Sequence, residues 1–466
     1  MRNAVILATL VLTACPKPSS QPDGGAEVVT SWGPGMTLAT AREPNARGLL
    51  DRRGLIHAHS WYSHDACDNL PRDDAGVRDA VCFEDFRRGL CQSKHDFVML
   101  TDHRDMFNDV EYPDALLYRP ERGDRLVERN GSPVASWAAC PDEDTTALIM
   151  AGCEAGTMPV GLEHHVADTH EERSNIYGGD SANDIQALKA AGAVALVAHT
   201  EGWTVEQLTG LPLDGFEMYN LHANTLRAAG EAFVLLQRLS NGDPGMPHPD
   251  LAVLPLIAED PRYLETWGTV LARGARRVTT MGTDCHRNTF KQTMQDGERI
   301  DSYRRMMIWF SNHLLIRPRS DGTWTDLELK EALSSGRLYG AFEYLGYPVG
   351  FDYHALEGGE PREMGAEVSL ARGVELVATM PSVEKLDPKV DAPVLTMRVL
   401  RAVEGGWEEV HRSTTNVSFA ITTPGAYRAE VLMQPRHLVP FLGDDAELYR
   451  DEPRVWIYSN AIYVTP

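Results

Sequence analysis

Apolar runs that stop at histidine or acid recur along the first two-thirds of the chain. They are "GLIHAH" (54–59), "DFVMLTDH" (96–103), "ALIMAGCE" (147–154), "AVALVAH" (193–199), "LDGFEMYN" (213–220) and "RRVTTMGTDCH" (276–286). Each has strand length and is nearly continuous in apolar character, which suits strands buried on both faces of a parallel sheet. Helical patterns lie between them. "SANDIQALKAAG" (181–192) begins with capping residues and ends at Gly192, and "PRYLETWGTVLARG" (261–274) opens on Pro261 and closes at Gly274. "TDLELKEALSSGR" (325–337) carries a capping box in Thr325 and Glu328. This alternation predicts βαβ units around a parallel sheet, where functional side chains gather at the C-terminal strand ends. The runs place their metal-capable groups at that end.

After about residue 350 the texture changes. "VLTMRVLRAV" (394–403), "NVSFAITT" (416–423), "GAYRAEVLM" (425–433) and "RVWIYSNAIYVT" (454–465) alternate as strands, separated by turns such as Gly405-Gly406 and Pro424-Gly425. The expected organisation is an α/β barrel over 49–345 followed by a small antiparallel β-sandwich over 346–466.

Composition narrows the function. The chain has 466 residues and is 43% hydrophobic, ample for a large core. Its 44 basic and 67 acidic residues give a formal charge of −23, which excludes a broad nucleic-acid surface. A small anionic substrate stays open, because bound cations can reverse the sign inside one pocket.

The N-terminus, "MRNAVILATLVLTAC", has one Arg, an apolar run of signal-peptide length and small residues before Cys15. "LTAC" resembles the lipobox of bacterial lipoproteins. That resemblance implies a signal peptide over 1–14, a lipid-modified Cys15, and an exported cell-envelope protein whose membrane contact is its lipid alone. "PKPSSQPDGGAE" then reads as part of a flexible tether over 15–48. Six further cysteines remain (Cys67, Cys82, Cys91, Cys140, Cys153 and Cys285), with no C-x-x-C among them. They predict disulfides or inert buried thiols rather than thiolate ligands.

Twelve of the 16 histidines lie between His57 and His286. His57 and His59, at i and i+2 on a strand, point to one face. Asp102 and His103, Glu154, His199, and the pair Asp284 and His286 occupy the ends of other runs. A lone H-x-H or a single strand-end histidine is commonly a satisfied structural group. Repetition at nearly every strand end makes coincidence a poor account. Imidazoles with carboxylates and no thiolate suit Zn²⁺, Mn²⁺ or Fe²⁺ rather than Ca²⁺.

The ordered set "HAHSWYSHDA", "LTDH", "GCE", "AH" and "GTDCH" resembles the PHP (polymerase and histidinol phosphatase) superfamily over roughly residues 50–340. The resemblance implies a distorted (β/α)7 barrel that binds two or three divalent ions. It further implies hydrolysis of a small phosphorylated substrate, a phosphate mono- or diester, by water activated at those ions. His57, His59, His103, Asp284 and His286 match its ligands, and Glu154 matches its bridging carboxylate. Asp65 fits a further ligand, with His64 as rival, and His165 another, with His164 as rival. His199 matches the histidine of the family's A-H-P, although Thr200 stands where proline is expected; it reads as a ligand or a proton donor. Arg104 and Arg287 are placed to steady phosphate charge or to form rim salt bridges. His222 has no counterpart and is a candidate to line the cleft. Two other readings stand beside this one: an amide- or ester-cleaving metallohydrolase, and a non-catalytic surface protein stabilised by metal.

Overall fold

The computed structural model describes residues 31–466. The proposed signal peptide and Cys15 lie outside the described residues. Among the described residues no helix is long and apolar enough to cross a membrane.

The fold is mixed α/β, built on one large mixed sheet with smaller sheets around it. The runs singled out by their apolar character are strands: β1 (Leu50–Ile56), β2 (Phe97–Met99), β3 (Thr145–Gly152), β5 (Val194–Leu196), β6 (Gly215–Asn220) and β7 (Val278–Gly282). A further strand, β4 (Met158–Leu162), intervenes. β1, β2 and β3 pair in parallel, as do β6 and β7. β4 is antiparallel to both β3 and β5. Ladder pairing does not close into a barrel. Backbone bonds nevertheless bridge its two gaps, with Glu217 N–H donating to the Val197 carbonyl at 2.9 Å and Asp284 N–H to that of His57 at 3.1 Å.

The helices form where their caps predict. Ser181 and Asp184 close a capping box on helix Ala182–Ala190. Asp260 caps the Arg262 N–H, and Pro261 starts helix Pro261–Ala272. Glu328 accepts from the Thr325 N–H at 2.7 Å at the head of helix Asp326–Ser334.

The expected division at residue 346 does not separate two packing units. β8 (Ser311–Ile316) runs antiparallel to β1, β9 (Leu338–Ala341) pairs with β8, and β10 (Arg454–Ser459) pairs with β9. Strands Val394–Val403 and Gly425–Gln434 extend the same sheet. One apolar core holds Trp267 and Met281 from the first part together with Trp456 and Tyr458 from the second. A separate antiparallel sheet of four strands, around Asp352–Glu357 and Val374–Thr379, packs beside it.

The expected tether also ends earlier than residue 48. Trp32 is buried and its N–H donates to the Lys385 carbonyl, while Arg47 forks between Asp352 and Glu363 at 2.8 and 2.7 Å. Residues from Trp32 onward are therefore docked. Two disulfides form, Cys67–Cys82 and Cys91–Cys140. Cys153 and Cys285 are free and buried, and burial pushes the Cys285 thiol up to about 12. Neither is a thiolate at neutral pH.

Candidate metal centre

The strand ends bring six imidazoles and three carboxylates together. Two sets of four residues each offer ligand atoms within 4.8 Å of one another: His57, Glu154, His199 and Asp284, and His59, Asp65, His103 and His286. A third grouping joins His222 to Asp284 and His286. Backbone contacts hold these ends side by side. Ala58 bridges to Cys285 and His103 to Glu154, both in parallel sense. His57, His199 and Asp284 carry positive φ values of 89°, 49° and 53°, a conformation that non-glycine residues adopt at a cost and that clusters at functional sites.

The geometry suits cations. Four ligands at the ~2.0–2.1 Å of Zn–N and Zn–O bonds in a tetrahedron stand roughly 3.3 Å apart. His57 Nε2 lies 3.3 Å from Glu154 Oε2 and 3.2 Å from Asp284 Oδ1, and 3.1 Å from His59 Nε2. Asp65 Oδ2 lies 3.0 Å from both His103 Nε2 and His286 Nε2. Glu154 faces two ways: Oε2 meets His57, His59 and His103, and Oε1 meets His199 at 3.2 Å. Asp284 Oδ1 and His286 Nε2 are buried and have charged neighbours at 3.2 and 3.0 Å, but no well-directed hydrogen bond reaches either. Buried polar atoms are almost always partnered, so these two atoms fit the missing coordination. The described clusters can hold metal.

Electrostatics agrees. Burial opposes charge on His57, but Asp284, Glu217 and Glu154 outweigh it and hold its pKa well above the ordinary imidazole value. His199 is pushed up to about 12 and His103 to about 9, again against burial, by Asp284 and Glu154 at the first and by Asp65 and Glu154 at the second. Burial would raise Glu154 and Asp284, yet the surrounding histidines hold both well below the usual carboxylate range. Packed acids with no lysine or arginine among the ligands demand positive charge. Protons supply it only where metal does not.

A ring of outer residues orients the ligands. Glu217, fully buried in the middle of β6, lies 2.7 Å from His57 Nδ1 and fixes which ring nitrogen faces the cluster. Gly282 is required beside it, since a Cβ there would fall 1.9 Å from Glu217 Oε1. Asn220 donates to Glu217 at 3.0 Å, and Ser63 Oγ meets His59 Nδ1 at 3.0 Å. Glu201 lies 3.2 Å from His199 Nδ1 and accepts from the Tyr263 hydroxyl. Sequence reasoning passed over Glu217. Its signal was an acid in the interior of an apolar strand, "GFEMYN", rather than at its end.

Several expected roles change. Asp65, not His64, joins the cluster; His64 is exposed and pairs with Asp105 at 3.0 Å. His165 is not a ligand, because its Nε2 meets the Val110 carbonyl at 2.9 Å and its Nδ1 the Tyr177 hydroxyl at 3.1 Å. His164 is no better placed, bonding the His165 carbonyl at 2.8 Å. Arg104 turns from the cluster toward the Ser174 carbonyl at 3.3 Å, through space left by Gly178. Arg287 is spent on Asp85, at 3.1 Å. His222 reaches the centre, with Nδ1 3.4 Å from Asp284 Oδ2.

Comparison with protein-family models, curated proteins and solved structures finds no match to this chain.

Proposed function

We propose that this centre holds at least two divalent cations, of Zn, Mn or Fe type, and hydrolyses a phosphate mono- or diester, as the resemblance to the PHP superfamily implies. The observation that carries the reading is Glu154, which meets imidazoles of both clusters, His57, His59 and His103 through Oε2 and His199 through Oε1, and so would join two ion sites. When bound, the ions would supply Lewis-acid polarisation of the phosphate and a lowered pKa for an attacking water. The residues do the rest. His57, Glu154, His199 and Asp284 would hold one ion, and His59, Asp65, His103 and His286 another. Glu217 fixes the His57 tautomer. His199 has both ring nitrogens engaged by carboxylates, which favours a ligand over a free proton donor. With Arg104 and Arg287 turned elsewhere, positive charge for the phosphate would have to come from the cations.

The seven-strand barrel that the resemblance implies is part of this proposal, and the backbone bonds across the β5–β6 and β7–β1 gaps support it. Export with a lipid anchor is proposed too, and two disulfides suit an oxidising compartment. The test is elemental analysis of purified protein joined to a panel of phosphate mono- and diesters with added Mn²⁺ or Zn²⁺. Two metal equivalents and turnover abolished by His57→Ala are expected. Metal-replete protein inert on every phosphoester would instead favour amide or ester cleavage, or a metal-stabilised binding protein.

A further inference from the structure

Beside the ligands Asp284 and His286 runs a narrow slot. Its far walls are Leu221, Val253, Leu256, Phe290 and Met306, contributed by the segments that follow β6 and β7. Among the described residues no lysine or arginine lines it. His222 stands on the wall between the slot and the metal cluster. Thr225, Asn288, Thr289 and Asp301 line it too, each hydrogen-bonded within the protein, and so do Trp309, 4% exposed, and Thr283, 1% exposed. Trp309 Nε1 and Thr283 Oγ1 both lack a hydrogen-bond partner. Such orphans are uncommon in native interiors, and an indole N–H can only donate. An apolar recess with a few convergent, unsatisfied polar groups has the make-up of a ligand site.

We propose that this slot takes the organic part of the substrate: a short apolar alkyl group on the ester oxygen, with any nearby oxygen accepting from Trp309. The inference rests on the phosphoester reading and narrows it. Sugar phosphates and nucleotides would bring hydroxyls or charge against the apolar walls, with too few partners to replace their water. Hydrolysis of R–O–PO3 would form one P–O bond from water and break the bond to the ester oxygen. One water proton ends on the released alcohol R–OH and the other on phosphate, with no change of oxidation state. Thr225, half-buried at the rim, offers a way to plug the slot without disturbing the core.

Calorimetric titration of zinc-loaded protein with methyl-, ethyl- and propylphosphonate, which do not hydrolyse, tests this without relying on turnover. Affinity should rise roughly fourfold per methylene, the transfer preference of a buried CH2. Thr225→Trp should flatten that rise while methylphosphonate still binds as before, and Leu256→Ser should weaken it if the plug proves unstable. Affinity that is flat or falling from methyl to propyl in the unaltered protein overturns the slot, as does failure of all three to bind. A rising series without hydrolysis of any alkyl phosphate keeps the slot and removes the phosphoesterase reading. Hydrolysis of alkyl and sugar phosphates at equal kcat/KM does the reverse.

Discussion

Two buried clusters of histidine and carboxylate share the large sheet, and they differ in the source of their positive charge. Around β8, His313 sets Nδ1 on Asp51 at 2.9 Å and Nε2 on Glu343 at 3.2 Å. Glu343 also grips the Arg53 guanidinium at 2.8 and 2.6 Å, and Tyr339 donates to Asp51 at 2.7 Å. This network contains its own permanent cation and leaves no polar atom of these five residues orphaned. At the strand ends, three carboxylates face six imidazoles with no guanidinium among them, and Asp284 Oδ1 and His286 Nε2 receive no well-directed hydrogen bond. The same residue types make a structural network where arginine is built in, and a cluster that can hold a cation where it is left out.

The largest effect should come from removing that built-in cation. Arg53→Met leaves Glu343 buried with only His313 and Ser311 facing it, and breaking a buried pair of this kind costs about 3–5 kcal/mol. Urea unfolding should register the loss, with metal content unchanged. Glu154→Gln should behave in the opposite way: metal content falls, while the metal-free protein keeps most of its stability. Should Arg53→Met unfold at the same urea concentration as the parent protein, the contrast between the clusters fails.

Acidity separates them next. His103 and His313 are both raised to about 9, against burial, by Asp65 and Glu154 in the first case and Asp51 in the second. A folded-state pKa raised above the ordinary ~6.5 contributes stability that is complete below ~6.5. That stability is lost as the pH climbs through about 9. Both clusters of the metal-free protein therefore weaken across this window. Zinc held by the cluster would replace the proton at His103 and leave the one on His313 untouched. The melting-temperature gap between zinc-loaded and chelated protein should widen from pH 6.5 to 9, and His313→Gln should leave that widening intact. A gap independent of pH would remove protons as the stand-in for metal.

Much of this site was legible because its signals are local. An apolar run ending in His, Asp or Glu names both a strand and the end at which chemistry collects, and His57, His59, Glu154, His199, Asp284 and His286 were found that way. What escaped depends on contacts distant in sequence. β4 runs antiparallel to β3, so the chain leaves it heading away from the ligand-bearing ends, and His165 is carried out of the cluster. Arg104 and Arg287 follow ligands directly, yet the next residue along a turn points where its own partners lie, to Ser174 and Asp85. The large sheet crosses the expected boundary near 346 for a related reason. Pairing of Leu338–Ala341 with Arg454–Ser459 joins segments more than a hundred residues apart, which no periodicity encodes.

The finest separation of the clusters lies in a residue that touches no ion. Glu217 lies 2.7 Å from His57 Nδ1 and also accepts from the His199 N–H at 3.3 Å, so its charge reaches the centre through residues of the cluster rather than directly. Glu217→Gln keeps the shape and a hydrogen-bond partner but withdraws the negative charge that makes His57 the stronger ligand. Loss of such a partner typically weakens metal affinity by about 10–100-fold. Gly282→Ala should weaken it similarly by another route, since its new methyl occupies the space of Glu217 Oε1. Competition with a chromogenic zinc chelator measures both, and melting of the chelated proteins checks that the fold survives. Glu343→Gln supplies the counterpart: it disturbs His313 and Arg53, so stability should fall and zinc affinity hold. If Glu217→Gln binds zinc within twofold of the parent protein, Glu217 is merely a buried acid that His57 happens to satisfy, and the orientation argument for the centre goes with it.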